Sequence, residues 1–168
     1  EISNLQRGGS DYTATIIGAA IRAVEVQIWT DIDGFHNNDP RFVEETHAIA
    51  ELSYDEAAEL AYFGAKILHP QTVEPLRLHN IPLHLKNTMD KDARGTAITH
   101  CARGKGIKAI AAKDGITALK IKSARMLQAH GFLSSVFKIF EHYETAIDMI
   151  TTSEIAVSLT IDHPQSIK

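Results

Sequence analysis

At 168 residues, with 44% apolar and 23% charged side chains, the chain is long enough for one domain or two small ones and too apolar for wholesale disorder. A formal net charge of −4 argues against a nucleic-acid-binding surface. The one cysteine, Cys101, excludes an internal disulfide and fits a cytoplasmic chain, no apolar run approaches a membrane span, and the N-terminus reads as carrying no basic-then-apolar signal.

The stretch Arg7-Gly8-Gly9-Ser10-Asp11-Tyr12-Thr13-Ala14 runs into an apolar-periodic series, Ile16, Ile17, Ala20, Ile21 and Val24, and predicts a tight loop opening into a helix. One reading is an anion site: glycines admit close backbone approach, a helix start offers unpaired N–H groups and its positive dipole end, and Arg7 adds a planar cationic fork. The other is a Gly-Gly turn capped by Ser10. Val24 to Thr30 alternates as a strand does, and Asp31 to Arg41 is a long polar loop. Helix, strand and loop in this order suggest an α/β sheet with its site at the carboxyl ends of strands. In the loop, Asp31 and Asp33 either orient a metal or phosphate or are solvated turn residues, and Arg41 either pairs with Asp39 or reaches a phosphate.

Ser53-Tyr54-Asp55-Glu56 has capping-box spacing and predicts a largely buried helix running to Leu68. Gly64 inside it costs about 1 kcal/mol against alanine and suggests close approach by a backbone or a ligand. Lys66 either meets the helix C-terminus and reaches water or points at phosphates. A short helix from Gln71 to His79, disturbed by Pro75, and a strand from Ile81 to Asn87 follow. Arg103-Gly104-Lys105-Gly106 is the expected domain boundary, dividing the chain into 1–102 and 103–168. Beyond it come strands at Ile107–Lys113 and Ile116–Lys122 around the Asp114-Gly115 turn. A helix with a stripe of Val136, Phe137, Ile139, Phe140 and Tyr143 follows, then strands at Ala146–Ile150 and Ile155–Ile161. This β-α-β-β order matches the first part of a ferredoxin-like unit. No histidine spacing makes a transition-metal site, His69 and His130 read as structural or solvated, and Cys101 has no catalytic neighbourhood.

Taken together, Arg7 to Ala14, Trp29-Thr30-Asp31-Ile32-Asp33-Gly34, Asp39-Pro40-Arg41, Glu56 to Leu60 and Phe63-Gly64-Ala65-Lys66-Ile67-Leu68-His69-Pro70 resemble the second half of an aspartokinase catalytic domain. His130-Gly131-Phe132-Leu133 with Val136-Phe137, and Ile147 to Glu154, resemble the first ACT regulatory module of the lysine-sensitive aspartokinases. The resemblance implies a truncated amino-acid-kinase, carbamate-kinase-like α/β domain followed by an incomplete βαββ ACT domain. It implies phosphorylation of the side-chain carboxylate of L-aspartate by ATP with Mg, giving 4-phospho-L-aspartate, with feedback inhibition by lysine.

By the same resemblance, Arg7, Gly8, Gly9 and Ser10 belong to the aspartate site, with Asp11 as organiser of the reacting groups. Thr30, Asp31, His36, Arg41, Lys66 and Ile67 fall on nucleotide positions. Met126, Gly131, Leu133, Asp148, Ser153 and Glu154 fall on the lysine site, and a homodimer through the ACT module is implied. Gln6 replaces the family's usual glycine before Arg7, and His36 its usual tyrosine. The Lys-Phe-Gly-Gly motif that opens aspartokinases is absent from the 168 residues, which predicts a fragment inactive by itself. The alternatives are a non-catalytic regulatory, amino-acid-binding and dimerising piece, or part of a threonine-regulated fused kinase–dehydrogenase.

Overall fold

The structure is a computed structural model that describes residues 8–64, 67–104, 106–123 and 130–162. Arg7, Lys66 and Met126 lie outside the described residues. The chain divides into two compact units at Ala112–Lys113, with Arg103 to Gly106 inside the first. No helix among the described residues is long and apolar enough to cross a membrane.

The first unit contains α1 (Gly9–Ala20), β1 (Val26–Thr30), β2 (Glu51–Ser53), α2 (Tyr54–Phe63), a 3-10 turn (Pro70–Val73), α3 (Glu74–Arg77), β3 (Leu83–Asn87) and β4 (Thr96–Thr99). Its sheet has the order β1-β3-β4-β2, with β1 parallel to β3, β3 antiparallel to β4 and β4 parallel to β2. Alternation in β3 buries Leu83 and Leu85 fully, and with Ile28, Leu52, Leu76 and Ile98 they form the core under the helices.

The α1 helix packs through its small residues. Thr15 and Gly18 are buried, and a Cβ on Gly18 would come within 2.4 Å of Val26 Cγ2, so no bulky side chain fits against β1 there. The predicted apolar run therefore faces outward: Ile17 is 54% and Ile21 71% exposed.

The predicted capping box is present, with Glu56 N–H donating to Ser53 Oγ at 3.1 Å and Ser53 N–H donating to Glu56 Oε2 at 2.8 Å. The α2 helix stops at Phe63 rather than Leu68, because Gly64 adopts φ +144 and a Cβ there would lie 2.5 Å from the Ala112 carbonyl oxygen. The close approach expected at Gly64 is thus to a backbone.

Tyr54, 3% exposed, donates its hydroxyl to the Ile81 carbonyl at 2.7 Å, tying α2 to the start of β3. Replacing Tyr54 with Phe is expected to cost about 1–2 kcal/mol, read as a lower urea midpoint. Burial pushes the Tyr54 phenol above its ordinary value. Its contribution is intact below the ordinary tyrosine pKa and is lost as pH rises through the raised one.

The second unit contains β5 (Ile116–Lys122), α4 (Phe132–His142), β6 (Met149–Thr152) and β7 (Ala156–Asp162), in an antiparallel sheet of order β5-β7-β6. The central strand, β7, buries Val157, Leu159 and Ile161. Only one stripe of α4 reaches this narrow sheet: Val136 is buried and Phe132 and Phe140 half-buried, four residues apart on either side, while Phe137, Ile139 and Tyr143 stay exposed. The predicted strand at Ile107–Lys113 is absent. That stretch has no regular secondary structure, and its Ile110 N–H donates to the Asn37 carbonyl at 2.9 Å. The β6 strand begins at Met149 rather than Ala146.

Candidate functional site

Strand directions decide which segments meet. The α1 helix leads into β1 through a short connection, with Gly18 set against Val26, so Gly8–Ser10 lie toward the carboxyl end of β1. The β2 strand runs opposite to β1, and α2 starts directly at its end, so the far end of α2, at Gly64, returns to that same edge. Contact confirms the topology: a Cβ on Gly8 would lie 2.7 Å from His69 Cβ and 3.3 Å from its Cγ. Segments 60 residues apart in sequence, one proposed for each substrate, are packed together at the carboxyl edge of the sheet.

Gly8 is the N-cap of α1, with φ +76, and no side chain caps the helix. Ser10 lies inside the first turn, hydrogen-bonded to Asp11 Oδ1 at 3.3 Å, so the Ser10-capped turn is not what forms. The first intrahelical bond is Tyr12 N–H to Gly8 O at 3.0 Å, which leaves the N–H groups of Gly9, Ser10 and Asp11 at the positive end of the helix, aimed at the edge where the segments converge. His69 supports this loop from behind. Its Nδ1 accepts from Gln71 N–H at 3.3 Å, capping the 3-10 turn that begins at Pro70. Sequence reasoning left His69 as structural or solvated; the signal for its role was a cap-competent side chain directly before a proline at a helix start.

In the loop after β1, Thr30 Oγ1 donates to Asp31 Oδ1 at 3.0 Å. His36 is held at both ring nitrogens, with Nε2 2.6 Å from Asp33 Oδ1 and Nδ1 2.9 Å from Thr46 Oγ1. An ionised carboxylate only accepts, so Nε2 carries the proton and, in the neutral ring, Nδ1 accepts from Thr46. The His36 hydrogen bond holds the Asp33 carboxyl below the ordinary carboxylate range. Asp33 therefore works as the anchor of His36, and both ring nitrogens are committed within the loop.

Arg41 forms a forked pair with Asp39 through Nε and Nη2, one Nε contact being 3.0 Å, and the side-chain and backbone hydrogen bonds from Arg41 bring the Asp39 carboxyl down to about 2. The pairing with Asp39, one of the two readings for Arg41, is present. The loop is closed at its base by Thr96, 1% exposed, whose Oγ1 accepts from Phe35 N–H at 2.9 Å and donates to Ile49 O at 2.7 Å. Ile67 is half-buried against the core.

A family model, the amino acid kinase family, matches residues 1–87. The chain belongs to the amino acid kinase family. Within this kinase family it is similar to Aspartokinase 1, chloroplastic, of Arabidopsis thaliana (45% identity over 96% of the chain) and to Lysine-sensitive aspartokinase 3 of Escherichia coli (41% over 95%). The chain spans 29% and 36% of the length of these two relatives. It also superposes on the crystal structure of E. coli aspartokinase III in complex with aspartate and ADP, with a TM-score of 0.83 at 41% identity, over 94% of the chain and 35% of that protein. The amino-acid-kinase fold expected for the first unit is the one formed.

In the second unit, β5 and β6 run parallel to each other, so the end of β5 lies at the same end of the sheet as Ser153 and Glu154 in the β6–β7 turn. Gly131 is the N-cap of α4, and Ser153 N–H donates to Ala156 O at 2.8 Å. Asp148 stands at the opposite end of β6, its N–H bonded to Thr160 O at 2.9 Å.

Proposed function

We propose that the protein carrying this chain transfers the γ-phosphoryl group of ATP to the side-chain carboxylate of L-aspartate, giving 4-phospho-L-aspartate, and that lysine inhibits it through the second unit. The observation that carries the reading is the contact of Gly8 with His69, which sets an uncapped, glycine-opened helix start against the segment that follows Lys66. The carboxylate is already ionised. A bond forms from its oxygen to the γ-phosphorus, the bond to the departing ADP oxygen breaks, and no general base is needed. The protein's part is to hold two anions together and balance their charge.

In this assignment the Gly9, Ser10 and Asp11 N–H groups and Arg7 hold aspartate, Asp11 organises the reacting groups, and Thr30, Asp31, His36, Arg41, Lys66 and Ile67 surround the nucleotide. With its ring nitrogens committed to Asp33 and Thr46, His36 presents a ring face rather than a hydrogen bond. Mg enters this reading as an ion carried by the ATP phosphates.

The strand order β5-β7-β6 supports a ferredoxin-like ACT module. There Met126, Gly131, Leu133, Ser153 and Glu154 take lysine, Asp148, at the opposite end of β6, joins them from a second copy, and that pairing forms a homodimer. A cytoplasmic setting fits the exposed free thiol of Cys101.

The test is trapping of acyl phosphate by hydroxylamine in the intact protein with ATP and either aspartate or glutamate, with lysine, threonine and methionine added in parallel. Aspartate-dependent hydroxamate that lysine suppresses is the expected result. Turnover of another acceptor alone would overturn the substrate, and inhibition by threonine alone would overturn the effector.

A further inference from the structure

We propose that residues 106–112 form a strap that positions the nucleotide half of the site, with Lys108 as its positioning residue. This rests on the kinase reading above. Itself part of the first unit, the strap touches the rest of that unit at three places that lead to candidate nucleotide residues. Lys108 Nζ lies 2.8 Å from Glu56 Oε2, the same oxygen that accepts from Ser53 N–H and closes the cap of α2. Ile110 N–H donates to the carbonyl of Asn37, next to His36. The Ala112 carbonyl sits against Gly64, where α2 ends, three residues before Ile67 in sequence. One segment thus holds both ends of α2 and the loop after β1.

The strap is not held by burial. Ile107 is 87% and Ile110 65% exposed. Between the strap and α2 lies a solvent-open cleft of about 270 Å³, bordered by Leu60, Phe63, Ala109 and Ala111. A segment serving the core would fill that space, whereas a segment fixed at points sets positions. The Lys108–Glu56 pair is partly shielded: the lysine side chain is 19% and the glutamate side chain 39% exposed. Glu56 keeps its Ser53 bonds when Lys108 is lost, so the cap survives and what changes is the hold of the strap on α2.

The experiment uses the intact protein with Lys108→Met and Lys108→Arg, measuring KM for ATP and for aspartate, kcat, and the Kd of ATP without acceptor. Lys108→Met is expected to raise KM and Kd for ATP by about 5- to 10-fold with aspartate KM nearly unchanged, and Lys108→Arg to restore both. An unchanged ATP affinity in Lys108→Met, or an equal rise in both KM values, would overturn the strap. The acceptor-free Kd keeps the two readings separable: failure to phosphorylate aspartate would remove the kinase assignment while the nucleotide affinity still tests the strap.

Discussion

Replacing Gly8 with alanine is expected to lower kcat/KM for aspartate on the order of a hundredfold, the penalty typical of a displacement near 1 Å at a reacting centre. Two causes act together. At φ +76 an L-side chain costs about 1–2 kcal/mol, and the new Cβ would sit 2.7 Å from His69 Cβ, far inside ordinary carbon contact. Neither wall yields easily, because α1 is seated through buried Thr15 and Gly18 and the 3-10 turn through buried Thr72 and Val73. The helix start therefore moves off its position, taking the Gly9, Ser10 and Asp11 N–H groups with it. Steady-state kinetics well below the melting transition separate this from unfolding. Pairing Gly8→Ala with His69→Gly removes the atom struck and should recover part of the loss. A Gly8→Ala enzyme within about threefold of the parent would show that the close approach is not used in the reaction.

Much of the frame was legible because its signals are local. Ser53 and Glu56 sit three apart, and the cap they announce forms with both bonds. Gly64 announced a close approach, and the Ala112 carbonyl supplies it. The β5-α4-β6-β7 order followed from alternation and turn residues alone. What failed were the strand expected at Ile107–Lys113, the extension of α2 to Leu68 and the full stripe expected on α4. Ile16, Ile17 and Ile21 repeat at helical spacing, yet the side of α1 set against β1 is the one that carries Thr15 and Gly18, where a Cβ on Gly18 would meet Val26. The α4 pattern promised more burial than three strands provide.

The site divides in the same way. Its glycine-opened helix and its acidic loop were visible as motifs, but their partners depend on long-range contacts that no periodicity encodes. His69 meets Gly8, Thr96 meets Phe35 and Ile49, and Lys108 meets Glu56 across 52 residues. A threonine opening a strand and a lysine in a segment without regular secondary structure carry no local mark of those roles. Motifs revealed where ligand chemistry is expected, and packing revealed which side chains hold it in place.

Thr96→Val follows from that distinction and should be among the most destabilising isosteric changes in the first unit, at about 2–4 kcal/mol. Valine keeps the shape and the β-branched preference of the strand, so packing is nearly unchanged. What it removes is one hydroxyl that serves two buried groups, accepting from Phe35 N–H and donating to Ile49 O. Phe35 is fully buried, so water cannot replace the lost partner at its N–H without opening the core. Thr96→Ser, which keeps the hydroxyl and loses a methyl group, should cost about 1 kcal/mol, so the order of the two variants separates hydrogen bonding from packing. Urea unfolding of both reads the stability. Because Phe35 lies between Asp33 and His36, the valine variant should also weaken nucleotide binding at temperatures where the protein remains folded, through a loosened His36–Asp33–Thr46 arrangement. Equal stability of the Val and Ser variants would mean that Thr96 acts by volume alone, and the loop would then need another anchor at its base.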